Sequence, residues 1–164
     1  MRSITKFLLC AALLCSLAVF PVFSAPKYII GMSQCNLGEP WRVQMNADIK
    51  AEAAKHPEIQ VIYKDAQNDV LQQRAQVEEF VDAKINLLII SPKEAQPLAE
   101  PVSKAMAAGI PVIVLDRDII GQNYTEFIGA DNVKIGRAVG KWLVQNYGGK
   151  SARVVEIMGL QTST

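Results

Sequence analysis

The chain has 164 residues, half of them hydrophobic, with 17 basic and 16 acidic side chains and a formal charge of +1. That near-neutral balance excludes nucleic acid and anionic membrane surfaces as expected partners, because both require concentrated positive charge. Three cysteines, two of them (Cys10 and Cys15) at the extreme N-terminus, exclude a disulfide-stapled scaffold and leave a buried core as the source of stability.

The first element is a leader. Arg2 and Lys6 precede the apolar run FLLCAALLCSLAVF, and the small-residue stretch PVFSA closes it. This order predicts a secretory signal peptide over residues 1–24, cleaved after Ser24. An uncleaved anchor is the alternative, but the run falls short of the ~20 residues of a spanning helix and Pro21 ends it. Cys10 and Cys15 each follow Leu, so a lipid-modified cysteine is not expected. Loss of Arg2 and Lys6 shifts the balance to −1 and leaves Cys35 as the last cysteine. The expected location is the periplasm or cell envelope, with no membrane-embedded segment after cleavage. The length beyond the leader suits one domain.

Beyond the leader, two periods alternate. KYIIGM (27–32) reads as a strand, followed by a four-residue repeat of Trp41, Met45, Ile49 and Ala53 that predicts a helix ending before Pro57. IQVIYK (59–64) is a second strand, and Val70, Val77, Phe80 and Val81 stripe a second helix. INLLII (85–90) precedes a stripe of Leu98, Val102, Ala105 and Met106, which stops at Gly109-Ile-Pro111. PVIVLD (111–116) and EFIGA (126–130) are further strands. Ile135, Ala138, Val139, Trp142 and Leu143 then mark a helix closed by Gly148-Gly149, with Trp142 expected in a core. ARVVEIM (152–158) is predicted as a sixth strand. Several strands are continuous apolar runs, as expected where both faces are covered. The alternation predicts βαβ units and an α/β fold with a doubly wound parallel sheet.

Open parallel sheets bind ligands beyond the carboxyl ends of their strands, so the residues just after each strand carry the functional information. They include Glu39, Trp41 and Arg42 after the first strand and Asp65, Gln67, Asn68 and Asp69 after the second. Ser91, Lys93 and Glu94 follow the third, and Asp116, Arg117 and Asp118 the fourth. Carboxylates that accept from hydroxyls, planar guanidinium donors and an aromatic face suit a polar ligand rich in hydroxyl groups. Each residue has a structural alternative. Asp69 is placed to cap the second helix, Asp65 to end a strand, and Ser91-Pro92 reads equally as a turn. The Asp116–Asp118 cluster reads equally as solvated charge. Trp41 heads a helical stripe, which favours packing, while Arg42 is turned about 100° from it.

Enzyme signatures are mostly missing from the sequence. No phosphate-binding glycine loop occurs, and the glycines of GRAVG (136–140) sit within a helical stripe, where close helix packing explains them. His56, the only histidine, and Cys35 fall at opposite ends of one predicted helix, which argues against a nucleophile–base couple. No His/Cys cluster suggests a metal, and no cofactor is implied.

The segments IIGMSQ leading to PWR, KDAQND, LLIISP, AGIPVIVLDRD and FIGADNVKIGRAVGKWL together resemble periplasmic sugar-binding proteins of ABC importers. The likeness is to the ribose-type group, whose fold is shared by LacI-type effector domains, and it runs from about Lys27 to the last residue. Pro-Trp-Arg is most similar to the galactofuranose-type binders. The resemblance implies a stacking aromatic at Trp41, with Arg42 beside it in the cleft and Glu39 in the preceding loop. It implies a sugar-gripping carboxylate–guanidinium pair at Asp116 and Arg117, and a third-strand contact at Ser91, where the family often has an amide. Asp131 and Asn132 are implied to be structural. Implied partners are a small-molecule sugar and an ABC permease in the inner membrane, with a monomeric binding protein and no enzyme activity.

Such proteins carry two lobes and are about twice this length. On that comparison residues 25–126 are expected to form an incomplete N-terminal sugar-binding lobe, and residues 127–164 the start of a truncated C-terminal lobe holding half a site. A sugar sensor feeding a membrane receptor or histidine kinase is the alternative function. An exported flavodoxin-like enzyme is a further one.

Overall fold

The computed structural model describes residues 25–162, so the leader expected over residues 1–24 lies outside the described residues. Five strands form one sheet: β1 (Tyr28–Gln34), β2 (Ile59–Asp65), β3 (Leu87–Ser91), β4 (Val112–Leu115) and β5 (Glu126–Ile128). All neighbouring pairs are parallel and the order is β2-β1-β3-β4-β5. In this order β1 lies between β2 and β3, which is the topological switch point where the crevice of such sheets opens. The register aligns the strand ends there, with Gln34 opposite both Asp65 of β2 and Ser91 of β3.

Among the described residues four helices connect and follow the strands: α1 (Pro40–Ala53), α2 (Val70–Asp82), α3 (Ala95–Ala107) and α4 (Asn132–Tyr147). Proline suits the first turn of α1, where a backbone N–H has no helical partner in any case. Asp69 caps α2 by accepting from the N–H groups of Leu71 and Gln72, the structural role the sequence allowed. α2 and α3 share one face of the sheet. Val77 and Phe80 from α2 and Leu98, Val102 and Ala105 from α3 pack on Leu88, Ile90, Val112 and Val114 of the strands. Gly31 on β1 is required by this contact, because a Cβ there would stand 2.7 Å from Ile85 and 2.8 Å from the Phe80 ring. α1 packs on the opposite face, where its Met45 and Asn46 meet the side chain of Gln34.

Three expectations are corrected in the last third of the chain. Residues 152–158 are irregular and exposed rather than a sixth strand. A strand is held by ladder hydrogen bonds, and among the described residues no neighbour supplies them. Trp142 is not core but 59% exposed, since α4 buries none of its residues. For the same reason Gly136 and Gly140 face open space rather than a packed helix. The ends of α4 follow the sequence signals. Asp131 accepts from the Lys134 N–H at 2.9 Å, and Gly148 ends the helix in the left-handed conformation.

Candidate functional site

The side chains at the strand ends converge on Arg42. Five residues separate β1 from α1, whose third residue, Arg42, reaches back to the strand ends at the β1–β3 switch point. Arg42 is 1% exposed, and its guanidinium donates to four side chains from different parts of the chain. Nε donates to Glu39 Oε2 at 2.9 Å, and Nη1 to Gln34 Oε1 at 3.0 Å and Ser91 Oγ at 2.8 Å. Nη2 donates to Asp116 Oδ2 at 3.3 Å. Gln34 and Ser91 are register partners at the ends of adjacent strands, which is why both acceptors face the same nitrogen.

Above this network lies Trp41. Its ring centroid is 4.0 Å from the Arg42 guanidinium carbon, a cation–π stack that covers one ring face. The residue remains 45% exposed. Sequence spacing assigned the tryptophan to packing and left the arginine open. The structure reverses the pair because a buried guanidinium needs several fixed acceptors, and only the inner position supplies them.

Asp116 follows β4 in the left-handed conformation at φ 69°, which is uncommon for a residue with a side chain. Its N–H donates to the Ile128 carbonyl at 2.9 Å, which ties the turn to β5. The turn aims the Asp116 carboxylate at Arg42 and sends Arg117 the other way. Arg117 Nη1 donates to the Lys93 carbonyl at 3.2 Å, and its Nε lies 3.9 Å from Asp116.

A crevice of about 530 Å³ opens beside this floor, lined by Glu39, Asp65, Gln67, Asn68, Lys93 and Arg117 among others. On the far side of Trp41 an apolar groove of about 550 Å³ runs between α1 and the β4–β5 edge, past Met45, Leu115 and Ile128. Of the six residues singled out from the sequence, Trp41, Glu39, Asp116 and Arg117 keep exposed surface around these openings. Arg42 and Ser91 lie beneath them, and Ser91 has no exposed surface at all.

Sequence reasoning missed the supports. Gln73 on α2 donates to the Ser91 carbonyl at 3.0 Å and accepts from the Lys93 N–H at 2.9 Å, which fixes the loop after β3. Gln76 accepts from Ser33 Oγ and donates to the Asp65 carbonyl, which steadies the loop after β2. Both amides occupy stripe positions of an amphipathic helix, between Val70, Val77 and Phe80. Polar residues recurring on an apolar face were the available signal.

Cys35 is fully buried beneath the same loops, and burial raises its thiol pKa above the ordinary value, partly offset by the charges of Arg42 and Arg117. His56 stands at the far end of α1 between Glu52 and Glu58, so the two do not form a couple. Among the described residues no helix is long and apolar enough to cross a membrane.

Comparison with known proteins places the architecture. Residues 30–164 match the model of the periplasmic binding protein domain. The ribose import binding protein of Bacillus subtilis is 31% identical over 134 residues, which cover 82% of this chain and 43% of that protein. The galactofuranose-binding protein of Escherichia coli is 31% identical over 147 residues, covering 88% and 46%. Among solved structures, a galactofuranose-binding protein superposes with a TM-score of 0.74 at 31% identity, covering 83% of this chain and 47% of that one. The fructose-binding periplasmic domain of a hybrid two-component system gives 0.70 at 41% identity, covering 75% and 41%. The chain spans about half the length of the curated relatives it matches.

Proposed function

The chain belongs to the periplasmic binding protein domain family, and from that premise we propose that it binds a neutral monosaccharide or related polyol outside the cytoplasm and serves an ABC importer. The observation that carries this reading is the half-exposed Trp41 ring, fixed on one face by Arg42, with Asp116 on the same groove and Arg117 next in the same turn. An aromatic face covers the C–H groups of a sugar, while the carboxylate accepts from adjacent hydroxyls and the guanidinium donates to ring or hydroxyl oxygens. Glu39 completes the rim, with Ser91 and Arg42 as the floor. The sugars in the names of the relatives support the ligand class. In this reading residues 25–126 form the sugar-binding lobe, residues 127–164 begin a second one, and the leader over residues 1–24 directs export to the periplasm.

The described residues cover a seated sugar from one side only. Tight small-molecule sites enclose most of their ligand. Weak binding, in the millimolar range that corresponds to roughly −4 kcal/mol, is therefore expected of the 164-residue chain. Nuclear magnetic resonance titration reads such affinities directly. Addition of pentoses, hexoses and polyols should shift the Trp41 indole N–H together with the amides of Asp116 and Arg117. A panel that leaves all three signals unmoved in the folded chain would sink the reading.

A sensor is the second reading, favoured by the 41% identity to the periplasmic domain of a two-component system. Flanking genes separate the two, since permease and ATPase genes support import and a histidine kinase gene supports sensing.

A further inference from the structure

Resting on the sugar-platform reading, we propose that Arg42 is a positioning residue. It sets the Trp41 ring and the Asp116 carboxylate in one fixed mutual arrangement and turns its own donors toward the protein. The geometry carries this. A guanidinium has five N–H donors in one plane, and Arg42 commits four of them, to Glu39, Gln34, Ser91 and Asp116. Its flat face lies under Trp41 at 4.0 Å, and the residue is 1% exposed. A ligand on the platform therefore meets the outer face of the ring and the exposed edge of the carboxylate.

The consequence concerns specificity. The distance between the apolar face and the first acceptor decides which sugar ring fits, and that distance is set by a residue beneath the platform. Its anchors Gln34 and Ser91 lie at the ends of paired strands, so the arrangement is referenced to the most rigid part of the fold. Lysine does not replace arginine here. An ammonium concentrates three donors at one point and has no flat face to carry the indole.

The test needs no sugar, so its outcome is independent of whether the chain binds one. In a Trp142→Phe background Trp41 is the only tryptophan. Fluorescence anisotropy and acrylamide quenching of Trp41 are compared for Arg42, Arg42→Lys and Arg42→Met, with circular dichroism as the check on folding. The expected result is about a twofold rise in quenching and a fall in anisotropy for both variants, with lysine giving no rescue. Ser91→Ala removes one acceptor of Nη1 without touching the ring, and the same change at smaller size is expected. This milder variant keeps the test decisive where an Arg42 variant does not fold. A folded Arg42→Lys or Ser91→Ala protein with unchanged Trp41 anisotropy and quenching would overturn the proposal.

Discussion

Gly129 lies directly against Asp116. A Cβ at position 129 would stand 2.8 Å from the Asp116 carbonyl oxygen and 2.3 Å from the Phe127 ring. The first contact is backbone, which has little room to give. Because the Asp116 N–H is held by Ile128, the left-handed turn after β4 and the start of the segment after β5 are packed as one unit. Gly129→Ala should therefore act at a distance on the platform. Overpacking of this kind costs about 1–3 kcal/mol, a drop of roughly 3–10 °C in melting temperature for a domain of this size. Calorimetric melting checks the stability, and an unchanged Tm would show that the contact relaxes freely.

Asp116→Asn isolates the ion pair at the heart of the floor. The pair is 3.3 Å long and joins a buried guanidinium to a carboxylate that is about one-third exposed. Hydrogen bonds to charged groups contribute about 1.5–3 kcal/mol, but water screens the exposed partner and Arg42 retains Glu39 as a counter-charge. A loss of about 1 kcal/mol in urea unfolding is expected. A loss near zero would show that Glu39 alone neutralises Arg42.

The charge arrangement also predicts which sugars are refused. Around the platform and crevice, Arg42, Lys93 and Arg117 each have a carboxylate within 4.0 Å. Glu39, Glu94 and Asp116 are those carboxylates, so no uncommitted positive charge awaits an acidic ligand. A uronic acid should bind more weakly than its neutral parent sugar in the same titration. Tighter binding of the uronate would mean that a ligand carboxylate displaces Asp116 or Glu39 from the arginines.

The alternation of β1 to β5 with α1 to α3 was readable because each element carries its own pattern within a few residues. β3 and β4 are continuous apolar runs, and Asp69 stands where an N-cap must. The placement of Glu39, Asp116 and Arg117 just after strand ends follows from that rhythm, whereas spacing favoured packing for Trp41 and only the family resemblance turned it toward the crevice. The burial of Arg42 does not follow from the rhythm, since its acceptors come from positions 34, 39, 91 and 116 and no local window contains them. Residues 152–158 mislead for a related reason. β-rich composition favours an extended chain, but a strand exists only against a partner. Trp142 fails in the same way, because an amphipathic stripe says that a face is apolar and not what covers it.

Cys35 offers a check on how closed the floor is. Its side chain has no exposed surface, and burial raises the thiol pKa despite the nearby arginines. Reaction with a disulfide reagent near pH 8 requires a thiolate in contact with solvent. Labelling of the native chain should thus be at least about tenfold slower than in urea, because it waits for local opening. Cys35→Ser identifies the signal where Cys10 and Cys15 are still present. Rapid stoichiometric labelling of the folded chain would show that the loops after β1 and β2 open readily.

Tyr124 ties the loop after β4 to high-pH stability. Its hydroxyl donates to Asp118 Oδ1 at 2.8 Å, and Asp118 also accepts from the Ile119 N–H. Burial, followed by the bond to Asp118 and the negative charges of Asp118 and Glu126, raises the Tyr124 pKa to about 12 from the usual 10.0. A raised folded-state pKa means that the neutral phenol is favoured in the native structure. The stabilisation is complete below pH 10 and is lost as pH rises from there through about 12. Ionisation would place a phenolate against a carboxylate one residue from Arg117, so the loop that carries Arg117 should loosen over this window. Absorbance titration at 295 nm, taken as the difference between the wild type and Tyr124→Phe, gives the ionisation of this residue alone. Asp118→Asn should lower the midpoint by removing the negative charge while keeping an acceptor. A midpoint near 10 in the wild type, or no change on Asp118→Asn, would show that this hydrogen bond does not hold the loop.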